Sequence, residues 1–434
     1  MDAWLLPQLS TFLCSAIASM GCSASLTLPL LLEKPAPEQD WRPPTVLSQC
    51  DASISPAEGH QLEARLQSFL NPAGSQSAGG VSAKPGSQSF GYTVLDEFSK
   101  PRFRVEGTRV FQAGQLPAVN LQTDERKLLS VLCNTRLYFA RYVEVDPTVL
   151  RQGVLGTQGI TLAQVLETLD FSIAILREDI QQGRPTRLRN PQFINQHFKV
   201  MRWSAYNPKN RNQSSLRLTK YAVFAHPGSR VKTATYNTPL YALVDRSGKD
   251  QFYLQYTKQA VLSGIYEPGG REYGKAKPLV YLTRNGLEDA LMQGTIQIKF
   301  PDGTVSYFNV DKNNGIAYVR GLAPRQQRRY WYFQQVNSIK GYGYRAEAKI
   351  PIEPGVTFAG DTLNIGLGRL VVLDYGSGNR RRLKLGAIAD TGGAFVPNLY
   401  QLDLLAGVFQ TRGEFNRYIA QLPQYVRAYI LIKK

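Results

Sequence analysis

Two apolar stretches near the C-terminus each carry one aspartate: Gly386-Ala-Ile-Ala-Asp390-Thr-Gly-Gly-Ala-Phe395 and Tyr400-Gln-Leu-Asp403-Leu-Leu-Ala-Gly407. In the first, an apolar run typical of a buried strand delivers Asp390 into a Thr-Gly-Gly turn, where the chain can approach another backbone closely. In the second, Asp403 lies between two leucines. Burial raises the pKa of a carboxyl group, and a carboxyl still protonated near neutral pH can act as a general acid. The alternative from the pattern alone is a strand aspartate that points outward into solvent.

The sequence around these stretches predicts a mainly β fold with helices in its N-terminal half. From about Leu216 onward, short β-branched and aromatic runs alternate with Gly, Pro, Asn and Asp, and Phe300-Pro-Asp-Gly-Thr304 predicts a tight turn between two strands. Earlier, apolar spacing predicts one helix opened by Thr123-Asp-Glu-Arg126 and another from a Thr161 cap to Gly183. Helices followed by strands, without βαβ alternation, favour a barrel or a sandwich.

Two local predictions and one weakly patterned region complete the secondary structure. We expect a half-buried helix within Phe193–Trp203 and a strand over Ala346–Ile350. Residues 33–120 are rich in Pro, Gly and Ser, which predicts a linker and weakly structured region, interrupted by a short helix at Ala57–Leu70.

The first 32 residues form an apolar segment in which small residues follow a short hydrophobic run, a layout typical of a secretory signal. Asp2 stands where basic residues are usual, so an uncleaved anchor, a lipid-modified Cys22 and a buried segment remain alternatives. An anchor or lipid would associate the protein with a membrane. Cleavage would leave Cys50 and Cys133, which either pair in an oxidising compartment or stay as inert core thiols.

Composition excludes several functional classes. The 434 residues include 51 Lys and Arg against 33 Asp and Glu, a net charge of +18, which favours an anionic partner. Three histidines argue against His-rich metal sites, and no P-loop, H-E-x-x-H, C-x-x-C or G-x-S-x-G motif is present. Asp311-Lys-Asn-Asn-Gly315 lacks the spacing of a calcium loop and is interpreted as a turn.

The two aspartate stretches resemble the 3D domain, named for three aspartates, at the C-terminus of the lytic murein transglycosylase A family. The family pattern places one aspartate before a Gly-Gly-Ala turn and a second in an apolar strand, which Asp390 and Asp403 match. Its first aspartate is followed by a glycine seven positions later, as Asp361 is by Gly368.

Further motifs of the family pattern precede the aspartates in the chain, in the order that the family has them, and the resemblance as a whole covers roughly residues 120–434. They are Leu218-Thr219-Lys220-Tyr221, Tyr236-Asn-Thr-Pro-Leu-Tyr241, Gln293-Gly294, Asp302-Gly303 and Asn314-Gly-Ile-Ala-Tyr318. The sequence departs from the pattern at Lys220, where the family has glycine, and at Phe395-Val-Pro397, where a basic residue is usual.

The resemblance implies a double-psi β-barrel assembled from residues 121–225, which include a helical lead-in, and residues 331–434, the 3D domain. A smaller β domain, residues 226–330, would be inserted between them, with a glycan strand in the groove. The implied activity is that of a peptidoglycan lytic exotransglycosylase in the periplasm or cell envelope. It cleaves the β-1,4 bond between N-acetylmuramic acid and N-acetylglucosamine without water and leaves a 1,6-anhydro ring.

The resemblance also implies a role for each matched residue. Asp403 would be the single catalytic acid and base, Asp390 would orient the site and raise the pKa of Asp403, and Asp361 would be structural. The groove would be lined by Thr219, Tyr221, Gln293 and Gly294. No metal or cofactor is expected.

Aromatic and basic residues offer further contacts with a glycan. Trp203, Tyr330 and Trp331 are candidates for stacking on sugar rings, with burial in the core as the alternative, and basic runs such as Arg380–Arg382 would attract the carboxylates of peptidoglycan. A non-catalytic peptidoglycan-binding envelope protein with the same barrel stays open as an alternative because of the departures at Lys220 and Phe395. Nucleic-acid binding is disfavoured, because the basic residues are dispersed and secretion would separate the protein from that ligand.

Overall fold

The structure, a computed structural model, describes residues 45–70, 91–247, 249–393 and 395–434. The predicted signal segment therefore lies outside the described residues, as does much of the Pro/Gly/Ser-rich region. The helices are α1 (Val46–Cys50), α2 (Pro56–Leu70), α3 (Gly107–Val110), α4 (Glu125–Tyr142), α5 (Leu162–Gln181), α6 (Pro191–His197), α7 (Lys258–Leu262), α8 (Arg284–Gln293) and α9 (Arg412–Ala420).

The strands outnumber the helices, and most lie in the C-terminal half of the chain, as predicted. They are β1 (Gly91–Leu95), β2 (Pro101–Glu106), β3 (Phe111–Gly114), β4 (Leu121–Gln122), β5 (Phe198–Trp203), β6 (Leu216–Pro227), β7 (Thr238–Leu243), β8 (Ala276–Leu282), β9 (Thr295–Lys299), β10 (Val305–Asn313), β11 (Trp331–Val336), β12 (Thr357–Ala359), β13 (Leu370–Tyr375), β14 (Arg382–Asp390), β15 (Gln401–Phe409) and β16 (Tyr425–Lys433).

Six strands pair into a closed ring. β6 runs parallel to β15, which pairs antiparallel with β12, and β12 runs parallel to β14. β14, β13 and β16 continue antiparallel, and β16 returns to pair antiparallel with β6. The strands of the ring are buried over most of their length, β13 and β14 above all, so the ring encloses a packed apolar core.

β6 extends beyond the ring into a second lobe. Its last residues, Phe224–Pro227, pair in parallel with β9, which continues antiparallel into β10 and β11. A separate hydrophobic cluster, built from residues between Leu240 and Phe333, forms the core of this lobe. The predicted boundaries of the inserted domain, 226 and 330, stay predictions.

Two long helices pack beside the ring, and their ends follow the predicted capping rules. The Thr161 hydroxyl accepts a hydrogen bond from the Gln164 amide, and the Gln164 side chain accepts one from Thr161, which confirms the predicted cap of α5. α4 begins one residue later than predicted, because Asp124 rather than Thr123 caps it. The predicted turn at Phe300–Thr304 joins β9 to β10.

Three local predictions were wrong. The predicted helix within Phe193–Trp203 ends at His197, because Phe198, Val200 and Trp203 bury their side chains in a strand paired with β16. Ala346–Ile350 holds a short 3-10 turn over Ala346–Ala348 instead of a strand. The weakly structured region contains the hairpin of β1 and β2; β2 is largely exposed and rich in charge, so its sequence lacks a clear hydrophobic pattern.

The N-terminal helices are joined to α4 covalently and by a buried ion pair. Cys50, at the end of α1, forms a disulfide with Cys133 in α4, which settles the alternative left open by the sequence. Arg136, almost fully buried, donates to Glu63 of α2 at 2.7 Å and to Asp170 of α5 at 2.7 Å. Among the described residues, no single helix is long and apolar enough to cross a membrane. One pair of helices, Pro147–Gln158 and Leu162–Gln181, reaches that length and hydropathy only when the two are counted together, and a bend of 103° separates them.

The disulfide closes a long segment of chain, with Cys50 and Cys133 separated by 83 positions. Because a cross-link restricts the unfolded chain, we expect Cys50→Ser/Cys133→Ser to lower the free energy of unfolding by about 2–4 kcal/mol, measured by guanidinium denaturation. Wild-type protein denatured with and without reductant is the matched control. A double variant as stable as the oxidised wild type would contradict the prediction.

Candidate active site

A cleft of about 470 Å³ opens where the barrel meets the second lobe. The barrel contributes residues of β6, β14 and β15, the second lobe contributes residues around the end of α8 and from β10, and the segment 339–349 forms a third wall. Its polar lining includes Tyr221, Gln293, Thr295, Asn309, Lys340, Lys349, Asp390, Thr391 and Asp403.

Asp403 is placed in the cleft by the pairing of β15 with two neighbours. Its backbone lies opposite Thr219 of β6 and opposite Ala359 of β12. One carboxylate oxygen, Oδ1, is buried and has no hydrogen-bond partner among the residues described. Burial, together with the negative charge of Asp390, raises the pKa of Asp403 to about 7, against the opposing effects of Thr219, Lys220 and Arg217. This carboxyl can hold a proton near neutral pH.

Asp390 ends β14 and is held by two hydrogen bonds. The Tyr221 hydroxyl donates to Oδ2 at 2.5 Å, and the Thr391 amide donates to Oδ1 at 2.8 Å. Burial raises the pKa of Asp390 to about 6, although both hydrogen bonds and the charge of Lys349 favour the ionised form. Burial and the two nearby aspartates raise the pKa of Tyr221 well above its ordinary value, so its hydroxyl stays a donor.

Lys349 is a component of the site that the sequence analysis missed. Its ammonium donates to the Val310 carbonyl at 2.9 Å and to the side-chain oxygen of Asn309. The Asn309 amide in turn donates to the Gly294 carbonyl at 3.2 Å and to the Thr295 hydroxyl at 2.6 Å. Burial lowers the pKa of Lys349, while Asp390 favours its charged form. Nothing local in the sequence distinguishes Lys349 from the other lysines.

Two glycines allow close backbone contacts of the segment 339–349, one with the barrel and the other within the segment itself. A Cβ atom on Gly341 would come within 2.5 Å of the Ala389 carbonyl oxygen, next to Asp390. A Cβ atom on Gly343 would come within 2.6 Å of the Lys349 Cα. The segment is also tied by hydrogen bonds from the Tyr342 amide to the Ala389 carbonyl at 3.0 Å and from the Ile350 amide to the Tyr342 carbonyl at 2.8 Å. These contacts fix the third wall of the cleft.

Two solved structures share this architecture. The chain is similar to a membrane-bound lytic murein transglycosylase from Agrobacterium tumefaciens, with a TM-score of 0.52 and 17% identity over 75% of this chain and 98% of that chain. It is also similar to E. coli MltA with bound chitohexaose, with a TM-score of 0.51 and 17% identity over 75% of this chain and 95% of that chain. The chain has the MltA fold. The predicted double-psi β-barrel fold is thereby confirmed. No protein-family model and no curated protein sequence matches this chain.

Within the MltA fold, most of the predicted site residues come together. Asp403, Asp390, Tyr221, Gln293 and Gly294 all line the cleft, although Gln293 and Gly294 come from a different lobe than the other three.

Thr219 lies beside Asp403 without lining the cleft. Its hydroxyl donates to the Leu402 carbonyl at 3.2 Å and accepts from the side-chain amide of Gln401 at 3.0 Å. The unusual Lys220 does not line the cleft either, and its ammonium donates to the Pro423 carbonyl. The departure at Lys220 therefore leaves the cleft unobstructed, whereas Phe395, the other departure, is part of the lining.

Asp361 is fully buried outside the cleft lining. It accepts hydrogen bonds from the Asn364 backbone amide at 2.9 Å, from the Asn364 side chain at 2.8 Å and from the Asn398 backbone amide at 2.8 Å. Burial raises its pKa to about 6 in spite of these donors. The carboxylate thus ties the turn after β12 to the loop that precedes β15.

Two of the three aromatic stacking candidates are in the core. Trp203 and Tyr330 are 2% and 0% exposed, so neither can reach a sugar ring. Trp331 is half-buried and packs under the Arg329 guanidinium, 4.3 Å from its ring centre. Within the described ranges, no group of three or more His, Cys, Asp or Glu side chains is arranged to hold a metal ion.

We expect Asp361→Ala to lower the free energy of unfolding by about 3 kcal/mol, because three buried donors would lose their acceptor. Urea denaturation measures the loss, and Glu106→Ala, which removes an exposed carboxylate, is the control and should change stability by less than about 0.5 kcal/mol. Equal stability of the two variants would show that Asp361 does not hold the two loops together.

Proposed function

We propose that this protein is a lytic transglycosylase that cleaves the β-1,4 bond between N-acetylmuramic acid and N-acetylglucosamine in peptidoglycan. The observation that carries the proposal is Asp403, whose buried Oδ1 is unpartnered among the described residues and whose pKa of about 7 suits a proton donor in an open cleft. The similar structures named above are lytic transglycosylases, and one of them holds chitohexaose, a glycan.

A single carboxyl suffices when the sugar supplies its own nucleophile. Protonated Asp403 gives its proton to the glycosidic oxygen, and the bond from that oxygen to the muramic acid C1 breaks. The 6-hydroxyl of the same sugar bonds to C1 and returns its proton to the Asp403 carboxylate. Atoms and charge balance without water, and the 1,6-anhydro ring is the product. A hydrolase would need a second carboxyl to act as nucleophile or to activate water.

The neighbours of Asp403 support this cycle. Asp390 is fixed by Tyr221 and Thr391, and its negative charge favours the protonated form of Asp403 before the bond breaks. Once the proton has left, positive charge develops on the sugar at C1, and two carboxylates in a poorly solvated cleft stabilise it. Gln293 and Gly294 lie on the opposite wall, where an amide and a backbone can bind hydroxyl or acetamido groups of the glycan.

The same proposal places the protein in the cell envelope. The Cys50–Cys133 disulfide suits an oxidising compartment, and the apolar residues 1–32 have the layout of a secretory segment. The net charge of +18 favours association with a polymer that carries carboxylates. We also propose that the N-terminal segment, residues 1–32, associates the protein with a membrane.

Removal of the proposed acid tests the reaction directly. We expect the wild-type protein to release 1,6-anhydro-muropeptides from murein sacculi and Asp403→Asn to lower the rate by about 10²-fold or more, because the amide cannot donate the proton. Mass spectrometry of the soluble products provides the measurement, and Asp245→Asn, at an exposed position, is the control. Wild-type protein that binds sacculi without releasing product would instead support the non-catalytic alternative.

The pH dependence should reflect the two cleft carboxyls. Asp403 must be protonated, so activity should fall as pH rises through about 7, and Asp390 must be ionised, so activity should fall as pH drops through about 6. Rates on soluble glycan strands from about pH 4 to about pH 9 give the profile.

Asp390→Asn removes a negative charge that raises the pKa of Asp403, so the alkaline limb should move to lower pH while the rate falls. An alkaline limb that stays in place would show that the two carboxyls do not interact, and Asp245→Asn again serves as the matched control.

A further inference from the structure

A second cavity, of about 460 Å³, adjoins the active-site cleft. The two share Lys340 and Lys349 as lining residues, so the third wall of the cleft is also a wall of the second cavity. Its far side is formed by α4, which contributes Asn134 and Arg141. The second cavity therefore lies next to the cleft, on the other side of the segment 339–349, and the mechanism above makes no use of it.

Lys340 carries an uncompensated charge at the junction of the two cavities. Its ammonium makes no hydrogen bond or ion pair with any residue in the described part of the chain. Partial burial lowers its pKa, and no carboxylate of the residues that the structure describes opposes that effect. Lys340 is half-buried, and its ammonium remains accessible from the two cavities that it lines, so a lysine in this situation is suited to an anion supplied by a ligand.

The other charged groups of the second cavity already have partners. Arg141 donates to Asp51 at 2.9 Å, and Glu347 accepts from Arg246. Lys349 is held by Asn309 and Val310. Among the described residues that line this cavity, Lys340 is thus the charged group without a protein partner, and it is free to bind a ligand.

We propose that Lys340 and the second cavity bind a carboxylate carried by a substituent of the glycan whose backbone lies in the cleft. The inference rests on the proposed function, and it adds a specificity: strands that bear carboxylates bind better than neutral strands of the same linkage. In peptidoglycan the carboxylate has two sources, the lactyl group of a peptide-free muramic acid and the stem peptide attached to it. An ammonium–carboxylate hydrogen bond is among the stronger polar contacts in proteins.

Binding measured without turnover tests the inference. Calorimetric titrations of Asp403→Asn would use three ligands: chitohexaose, peptide-free glycan strands and peptide-bearing glycan strands. We expect Lys340→Gln, added to Asp403→Asn, to weaken binding of the carboxylate-bearing strands by about tenfold and to leave chitohexaose within about twofold. Raising the salt concentration should weaken only the binding that depends on Lys340.

The variants include their own controls. Lys340→Arg should restore most of the affinity, because it returns the positive charge, and Lys277→Gln, an exposed lysine on β8, should change nothing. Unchanged thermal midpoints would show that the variants are folded. A tenfold effect seen with peptide-free strands assigns the lactyl carboxylate, and an effect confined to peptide-bearing strands assigns the stem peptide. Either outcome supports the inference.

Two results would overturn it. Equal loss of affinity for chitohexaose would show that Lys340 contacts the sugar backbone, and unchanged affinity for both carboxylate-bearing strands would show that it binds no carboxylate. The titrations need no product, so a protein that fails to digest sacculi and still shows the Lys340 effect would contradict the proposed reaction alone. Normal digestion without the Lys340 effect would contradict this inference alone.

Discussion

The parallel pairing of β6 with β15 is the constraint on which the site depends. It sets Thr219 opposite Asp403 and, two residues further along the same face of β6, brings the Tyr221 hydroxyl to Asp390 at the end of β14. A shift of the pairing by one residue would turn Asp403 to the other face of its strand and remove it from the cleft. Because β6 also closes the ring against β16 and then pairs with β9, the same strand joins the carboxyls of the cleft to the second lobe.

The two cleft carboxyls differ in how the protein compensates for their burial. Asp390 receives two hydrogen bonds and faces the charge of Lys349, whereas Oδ1 of Asp403 receives none from the described residues. Burial raises the pKa of Asp390 to about 6 and that of Asp403 to about 7; at Asp403 the negative charge of Asp390 adds to the effect of burial, whereas Thr219, Lys220 and Arg217 oppose it. A pair of titratable groups separated in this way can hold one charge and one proton at the same time, as acid catalysis requires.

Local sequence patterns predicted the parts of the structure that depend on neighbours in the chain. The capped helix after Thr161, the turn at Phe300–Thr304 and the two aspartate strands are of this kind. The residues of β5 were predicted to be helical. They form a strand because they pair with β16, more than two hundred residues later in the chain, and a local pattern does not show that pairing. Trp203 and Tyr330 were candidates for stacking on sugar rings, with burial in the core as the alternative, and the packing around them decides for the core, which no short window of sequence reveals.

The site shows the same division. Asp390 and Asp403 were found because each lies in a distinctive apolar context, whereas Lys349 and Lys340 acquire their roles only when segment 339–349 folds against β14 and β10.

A chain of polar contacts connects the second lobe to the carboxyls. The backbone and hydroxyl at the start of β9 fix the Asn309 amide, Asn309 fixes the Lys349 ammonium, and the positive charge of Lys349 favours the ionised form of Asp390. Asp390 in turn raises the pKa of Asp403. The proton affinity of Asp403 therefore depends on residues that belong to the other wall of the cleft. An isolated barrel could form the two aspartate strands and would still contain Lys349, but it would lack the Asn309 and Val310 groups that hold the ammonium of Lys349 in place.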